Sequence, residues 1–569
     1  MIPAASPGPL LAAGAASGDA NFTALCERIR SVDIAQNPSL ENRTTYVCAQ
    51  DYAEHTPPAD YISVNLETCL AVNPGWEKSK IDTPSQWAGP LVGFLVPSLG
   101  FIISIPREWN IPAPTGKIGP LTFFALVLDT LVGIGIVFGW AGPYVAGALH
   151  ETFVDWDVLD IVNRILNERR ALNPRASESE WFALAIALVG SFDANAQEPR
   201  EPREPREPQE HQEHQEHQEH QEHQEHQEHQ DQQTFAEKVT NELEQPQTAR
   251  TFLRQLCTQL VPFNIQVGIP LVLYVGASIY SLVDAQARLG ENDTAHSIGF
   301  CLWYHTIVLV AIASSMVLSV GSPKVIESVM ARHNLTERGY KLRWICERRL
   351  ELWRWSQVQL QDSQGQIVEF NGRYRDIFDG HHVGWACVLA IIILSIPWAL
   401  AFSVAYLTPE TGIGCRSATV LAYACCQGFL VILWSVHTSP EAREARDNAR
   451  KRRQWKAFLG LWTITGLYYL VGITALCVVI AGTVMQLVGV YRNCVCKAGL
   501  YWGLPTTRDR SGAMVKLSTD TQIERDMASY WKALGGCGVG WLVALCLIAS
   551  WHRVRMRQRC LDLIDLVAR

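Results

Sequence analysis

Residues 383–406 read VGWACVLAIIILSIPWALAFSVAY, a run without one charged side chain. As a helix rising 1.5 Å per residue it would be about 36 Å long. That exceeds the ~30 Å hydrocarbon core of a bilayer, where a helix satisfies its own amides without water. Seven further blocks are long and predominantly apolar, at 88–105, 121–140, 265–284, 298–320, 417–437, 458–482 and 531–551. The expected fold is therefore all-α, a polytopic transmembrane helical bundle of about eight spans. A small N-terminal ectodomain and a disordered low-complexity loop are expected around it.

Composition agrees. Of 569 residues, 48% are apolar, and they are gathered into blocks separated by long polar stretches rather than spread over one core. Many of the 19 tryptophans stand at block ends, as in an interfacial aromatic belt. The net charge of −8 carries little meaning, because the two signs sit in different segments. Nothing in the sequence points to nucleic acid. The 16 cysteines fall into loop cysteines and small apolar residues inside blocks, such as Cys301, Cys387, Cys425, Cys477 and Cys546.

The chain divides into an N-terminal region, 1–87, two spans within 88–141, a polar loop over 142–264 and spans three and four within 265–320. A basic, Trp-rich loop covers 321–382, and spans five to eight lie within 383–569, with an outward loop at 483–530 and a basic tail. Pro9 to Ala16 form a weakly apolar run without a preceding Lys or Arg, so the usual n-region of a signal peptide is missing there, and a later span could act as the insertion signal. In the polar loop, Val158, Ile161, Val162, Ile165 and Leu166 recur at helical spacing, which predicts an amphipathic helix on a membrane surface. The segment 181–192 is too short to span and is expected on the surface or packed within protein. Residues 198–232 repeat every third position, first Glu-Pro-Arg and then His-Gln-Glu, and cannot bury a core. The histidines from His211 to His229 have nothing to preorganise them, so a solvated spacer is expected rather than a metal site.

Short basic loops face the cytoplasm. Arg443, Arg446, Arg450, Lys451, Arg452, Arg453 and Lys456 lie between spans six and seven, and Arg553, Arg555, Arg557 and Arg559 follow span eight. Lys341, Arg343, Arg348, Arg349 and Arg354 alternate with Trp344, Trp353 and Trp355, a pattern that predicts a helix on an anionic inner leaflet. The opposite loops then carry Asn292 in a glycosylation sequon, Cys415, and Cys494 with Cys496. An outward Cys415 is a candidate to pair with either of the latter two, and free thiols are the alternative. Cys26, Cys48 and Cys69, with sequons at Asn21 and Asn42, mark 1–87 as an ectodomain. Eight spans would return both termini to one side, which conflicts with an outer N-terminus and an inner C-terminus. The count is most open to revision around Gly139-Trp140-Ala141-Gly142-Pro143.

Four stretches, NRTTYVCAQ at 42–50, VGIPLVLY at 267–274, LGENDTAH at 289–296 and GVYRNCVC at 489–496, resemble a family of uncharacterised multi-pass membrane proteins from filamentous fungi. The resemblance implies architecture and no activity. The repeat tract departs from it.

Ionisable groups inside spans are costly and are functional candidates by default. Asp129 in span two and His305 in span four qualify, as a proton- or cation-linked pair if they face each other and as packing groups otherwise. Pro97, Pro270 and Pro397 could break spans, but kinked packing helices are the commoner outcome. Gly135 and Gly139 fit close helix packing, and so does the run from Gly535 to Gly540, which lacks the Lys-Ser/Thr of a phosphate loop. His150-Glu151 is not followed by the second His of a zinc protease, and no nucleophile elbow is present. No cofactor or metal is expected. The function expected first is a non-enzymatic structural or sensory membrane protein of the plasma membrane or another secretory-pathway membrane. It would bind partners through its ectodomain or 334–355. A transporter or channel comes second and an intramembrane enzyme third.

Overall fold

The computed structural model describes residues 21–41, 48, 62–79, 91, 96–105, 120–169, 177–193, 235–243, 245–260, 267–287, 292–320, 323–333, 342–357, 381–408, 413–439, 442, 455–498, 514–517 and 522–567. The repeat at 198–232, Asn42, Asn334 and most of the basic segment 443–456 lie outside them. The protein is helical, with one two-stranded sheet among the described residues. Among the described residues, five helices are long and apolar enough to cross a bilayer.

Three apolar clusters stack from one end of the molecule to the other. At one end, here called outer, lie α1 (Phe22–Gln36), β1 (Ser63–Asn65) and α2 (Leu66–Val72). Asn21 caps α1 by accepting the Ala24 N–H at 2.9 Å, and Asn65 caps α2 through the Glu67 N–H at 3.1 Å. β1 pairs antiparallel with a strand far along the chain, Val64 opposite Val515.

The middle cluster is the bundle. It contains α3 (Val96–Ser104), α4 (Pro120–Gly139), α5 (Ala141–Arg169), α9 (Ile269–Ala287), α10 (Asn292–Met316), α13 (His381–Leu407), α14 (Cys415–His437) and α15 (Trp455–Val488). Beyond α16 (Cys494–Lys497) and β2 (Met514–Lys516), α17 (Gln522–Val567) runs through the bundle into the inner layer. α10 is the hub: its apolar window is 94% buried, packed against α13, α17, α5, α9 and α3. Its neighbours turn apolar side chains outward instead, including Phe124 on α4, Val272 on α9, Ile392 on α13, Ile432 on α14, Leu470 on α15 and Leu547 on α17.

The inner cluster joins the second half of α5 and the end of α17 to α6 (Ser177–Val189), α7 (Phe235–Glu242), α8 (Pro246–Thr258), α11 (Pro323–Arg332) and α12 (Arg348–Gln357). Arg250 on α8 pairs with Asp565 on α17 at 2.9 Å.

Several expectations change here. Of the eight expected blocks, five appear as long apolar helices. Block 265–284 is apolar over only Ile269–Val283, and the described part of block 88–105 contains the nine-residue α3. Block 121–140 does not continue straight: α4 ends at Gly139, and the chain bends by 79° into α5. The region after 141, expected as a polar loop with a surface helix, is thus a helix whose first half is buried in the bundle. The basic Trp-rich segment is not an exposed interfacial helix. Arg348, Arg349 and Trp355 are buried, and the Trp355 indole donates to the Phe192 carbonyl at 3.1 Å. Alternating Arg and Trp suits a protein interior as well as a headgroup layer once the guanidinium and indole groups find partners.

Candidate functional site

The bend between α4 and α5 sits halfway along the bundle, where helix ends are most costly because their orphan amides meet no water. Gln427 of α14, fully buried, resolves this. Its Nε2 donates to the carbonyls of Phe138 and Gly139 at 2.9 and 3.0 Å, and its Oε1 accepts the Gly142 N–H at 2.9 Å. The Tyr423 hydroxyl adds a second donor to Phe138 O at 2.8 Å. Pro143 falls in the first turn of α5, where a missing N–H costs nothing. The Trp140 ring at the corner lies on Gly472 of α15, where a Cβ would stand 2.3 Å from it. Pro397 is answered in the same way. It cannot donate to Ile393 O, and that carbonyl accepts the Trp541 indole N–H at 3.4 Å.

Where α10 ends, the buried Glu151, Asp155 and Arg348 meet the part-buried Arg553. Glu151 and Asp155, one turn apart on α5, are each about 1% exposed. Glu151 pairs with the buried Arg348, which also donates to the Ser319 hydroxyl. Asp155 accepts the Leu318 N–H at 2.9 Å, and Arg553 of α17 donates to the carbonyls of Ser315 and, at 2.9 Å, Val317. Burial pulls the Arg348 guanidinium below its usual range, while Glu151 and Asp155 act against that shift. Two acidic side chains and two guanidiniums finish the terminus of the hub helix. The cluster fastens α5, α10, α12 and α17 at one point. Two residues beyond Asp155, Asp157 of α5 meets His382 of α13 at 2.8 Å.

No family model, no curated protein and no solved structure matches the chain. The arrangement is therefore interpreted from its own geometry.

The sequence-derived candidates separate. His305 is fully buried on α10, with the Tyr274 ring centroid 5.6 Å away, the Cys301 sulfur 3.9 Å from its Nε2, and Gly538 of α17 against its edge. Asp129 is half-buried on α4, nine residues before Phe138, whose ring meets Tyr304 at 5.4 Å. The six loop cysteines form three bridges, Cys26–Cys48, Cys69–Cys494 and Cys415–Cys496. Asn21 is exposed at the α1 cap, and Asn292 is the first residue of α10. Among the described residues no group of three or more His, Cys, Asp or Glu side chains could hold a metal.

Sequence reading missed Gln427, Glu151, Asp155 and Arg348. A signal for two of them existed: Glu151 and Asp155 share one face of a helix whose preceding residues 141–149 are uncharged.

Proposed function

We propose that this chain is an integral membrane protein crossing the bilayer seven times, with a non-catalytic structural or sensory role. The observation that carries the reading is the exterior of the middle cluster. Six segments turn large apolar side chains to the outside, among them Val272 at 72% exposure and Leu547 at 66%, between two end layers rich in polar groups. An apolar belt of that extent matches lipid rather than water. The crossings in this reading are the bent α4–α5 pair, α9, α10, α13, α14, α15 and α17. An odd number reconciles an outer N-terminus with an inner C-terminus. Two observations support the sides assigned: the N-terminal layer is bridged to the loop after α15, and the Arg-rich end of α17 packs in the opposite layer.

A structural or sensory role is favoured over transport because α10 fills the bundle axis and His305 is enclosed by Tyr274, Cys301 and Gly538. A plasma or other secretory-pathway membrane fits the three bridges, which need an oxidising side. Partners would engage the bridged outer layer or the inner segment 334–355. Kinship with multi-pass proteins of filamentous fungi remains carried by the four sequence stretches quoted above.

The test is fractionation and glycan mapping. The chain should stay in the pellet after alkaline carbonate washing. An enzyme-removable glycan should be present and should vanish in Asn21→Gln/Asn42→Gln. Release by carbonate, or a glycan on Asn334, would overturn the reading.

A further inference from the structure

Just past its apolar part, α17 carries Arg553, Arg555, Arg557 and Arg559. The four divide between two faces of the helix. Arg553 is used inside the protein, on the carbonyls of Ser315 and Val317, and Arg557 Nη2 reaches Thr258 O of α8 at 3.5 Å. Arg555 and Arg559, one turn apart on the other side, make no hydrogen bond or ion pair among the described residues.

Each of these two lies over a tryptophan ring. The Arg555 guanidinium carbon is 5.0 Å from the centre of Trp551, and that of Arg559 is 4.2 Å from the centre of Trp156 on α5. His552 stacks on Trp156 as well, with ring centres 6.2 Å apart. A guanidinium over a ring engages its face and leaves its edge, a fork of N–H donors, open to an anion. The carboxylates on the neighbouring turns are mostly taken: Asp157 pairs with His382, Asp160 with Arg164 and Asp565 with Arg250. Asp562 is exposed and lies one turn further from the bundle.

The stripe continues into the apolar belt. Leu547, Trp551, Arg555 and Arg559 follow at intervals of four, the first three exposed, and residues four apart are neighbours on a helix surface. Arg555 stands one turn, about 6 Å, beyond Trp551. The headgroup layer adds ~5–8 Å to each side of the hydrocarbon core, so that step is the right size. Helical side chains also lean toward the N-terminus, which for Arg555 and Arg559 is the side of the belt.

We propose that this stripe binds one anionic phospholipid of the inner leaflet, a site that rests on the membrane reading given above. The lipid phosphate accepts from the free edges of Arg555 and Arg559, and the first acyl methylenes lie along Trp551 and Leu547. Continuity with the belt selects a lipid phosphate over a free one. Two guanidiniums without a counter-charge select an anionic headgroup over a zwitterionic one.

The experiment uses the full chain in phosphatidylcholine nanodiscs and two photoreactive probes, phosphatidylserine and phosphatidylcholine, each with a diazirine near the head of one acyl chain. Phosphatidylserine should label the segment 547–555 at least about tenfold more than phosphatidylcholine does. Arg555→Gln with Arg559→Gln should bring the two probes to the same level. Arg557→Gln, which removes a charge from the opposite face, should leave the preference within about twofold. Excess inorganic phosphate should not compete. Equal labelling by the two probes, a preference that survives the paired substitution, an equal loss in Arg557→Gln, or competition by phosphate would each overturn the proposal. Whether the chain enters nanodiscs at all tests the membrane reading; the labelling, read on the reconstituted chain, tests the site alone.

Discussion

Cys69, in the middle of α2, is bonded to Cys494, six residues beyond α15, across 425 positions of sequence. The bridge does not act alone. Glu77 N–H donates to Arg492 O at 2.9 Å, Ser79 N–H donates to Val488 O at 3.1 Å, and Arg492 reaches Ser79 Oγ at 2.8 Å. Gly489, at φ +88°, makes the turn that lets these strands meet; a Cβ there would stand 2.4 Å from Glu77 O. The N-terminal layer is thereby fixed to the outer mouth of the bundle.

Breaking that bond should loosen the layer without dissolving the bundle. Cys69→Ser is expected to cost about 2–5 kcal/mol, because the open chain regains the freedom that so long a loop closure removes. Non-reducing peptide mapping should show a Cys69–Cys494 link in the parent, and in Cys69→Ser an alkylatable Cys494 with both other bridges intact.

Gln427→Leu should destabilise the protein by about 2–4 kcal/mol, since it strands one buried N–H and leaves two carbonyls short of donors. Gln427→Glu should be intermediate, keeping the acceptor for Gly142. Thermal unfolding in detergent, followed by size-exclusion of the remaining monomer, measures both. Equal melting of Gln427→Leu and parent would show that the bend holds without its clamp.

Gly472→Ala places a methyl inside the Trp140 indole and should cost about 1–3 kcal/mol through overpacking. Pairing it with Trp140→Phe should recover part of the loss. The same melting assay reports both, and a loss that Trp140→Phe leaves untouched would count against this contact.

Removing one member of the inner ionic cluster leaves its partner charged and buried. Glu151→Leu is expected to lose about 3–5 kcal/mol, whereas Glu151→Leu with Arg348→Met should return close to the parent, because the desolvation of both charges disappears together. A double-mutant cycle on melting midpoints gives the coupling. Additive losses would mean that the two side chains do not interact.

Hydropathy alone located most of this architecture, because twenty apolar residues in a row cannot be hidden in any loop. It was least informative at Trp140. The local average runs apolar straight through Phe138, Gly139, Trp140 and Ala141, and only Gln427, some 285 positions away, makes a bend there tolerable. Polarity misled at Glu151, Asp155 and Arg348 for the same reason. A charge reads as exposed until the counter-charge that accompanies it inward is known.

What the amino-acid order determined by itself was the class of fold, the set of cysteines on one face and the candidate acids and bases. These follow from composition within a window of about one helix length. Which cysteine meets which, where the broken helix turns, and that His305 packs against Tyr274, Cys301 and Gly538 were decided only by the tertiary structure. Each depends on the approach of segments far apart in the chain, and chain distance carries no information about such approaches until the helices pack.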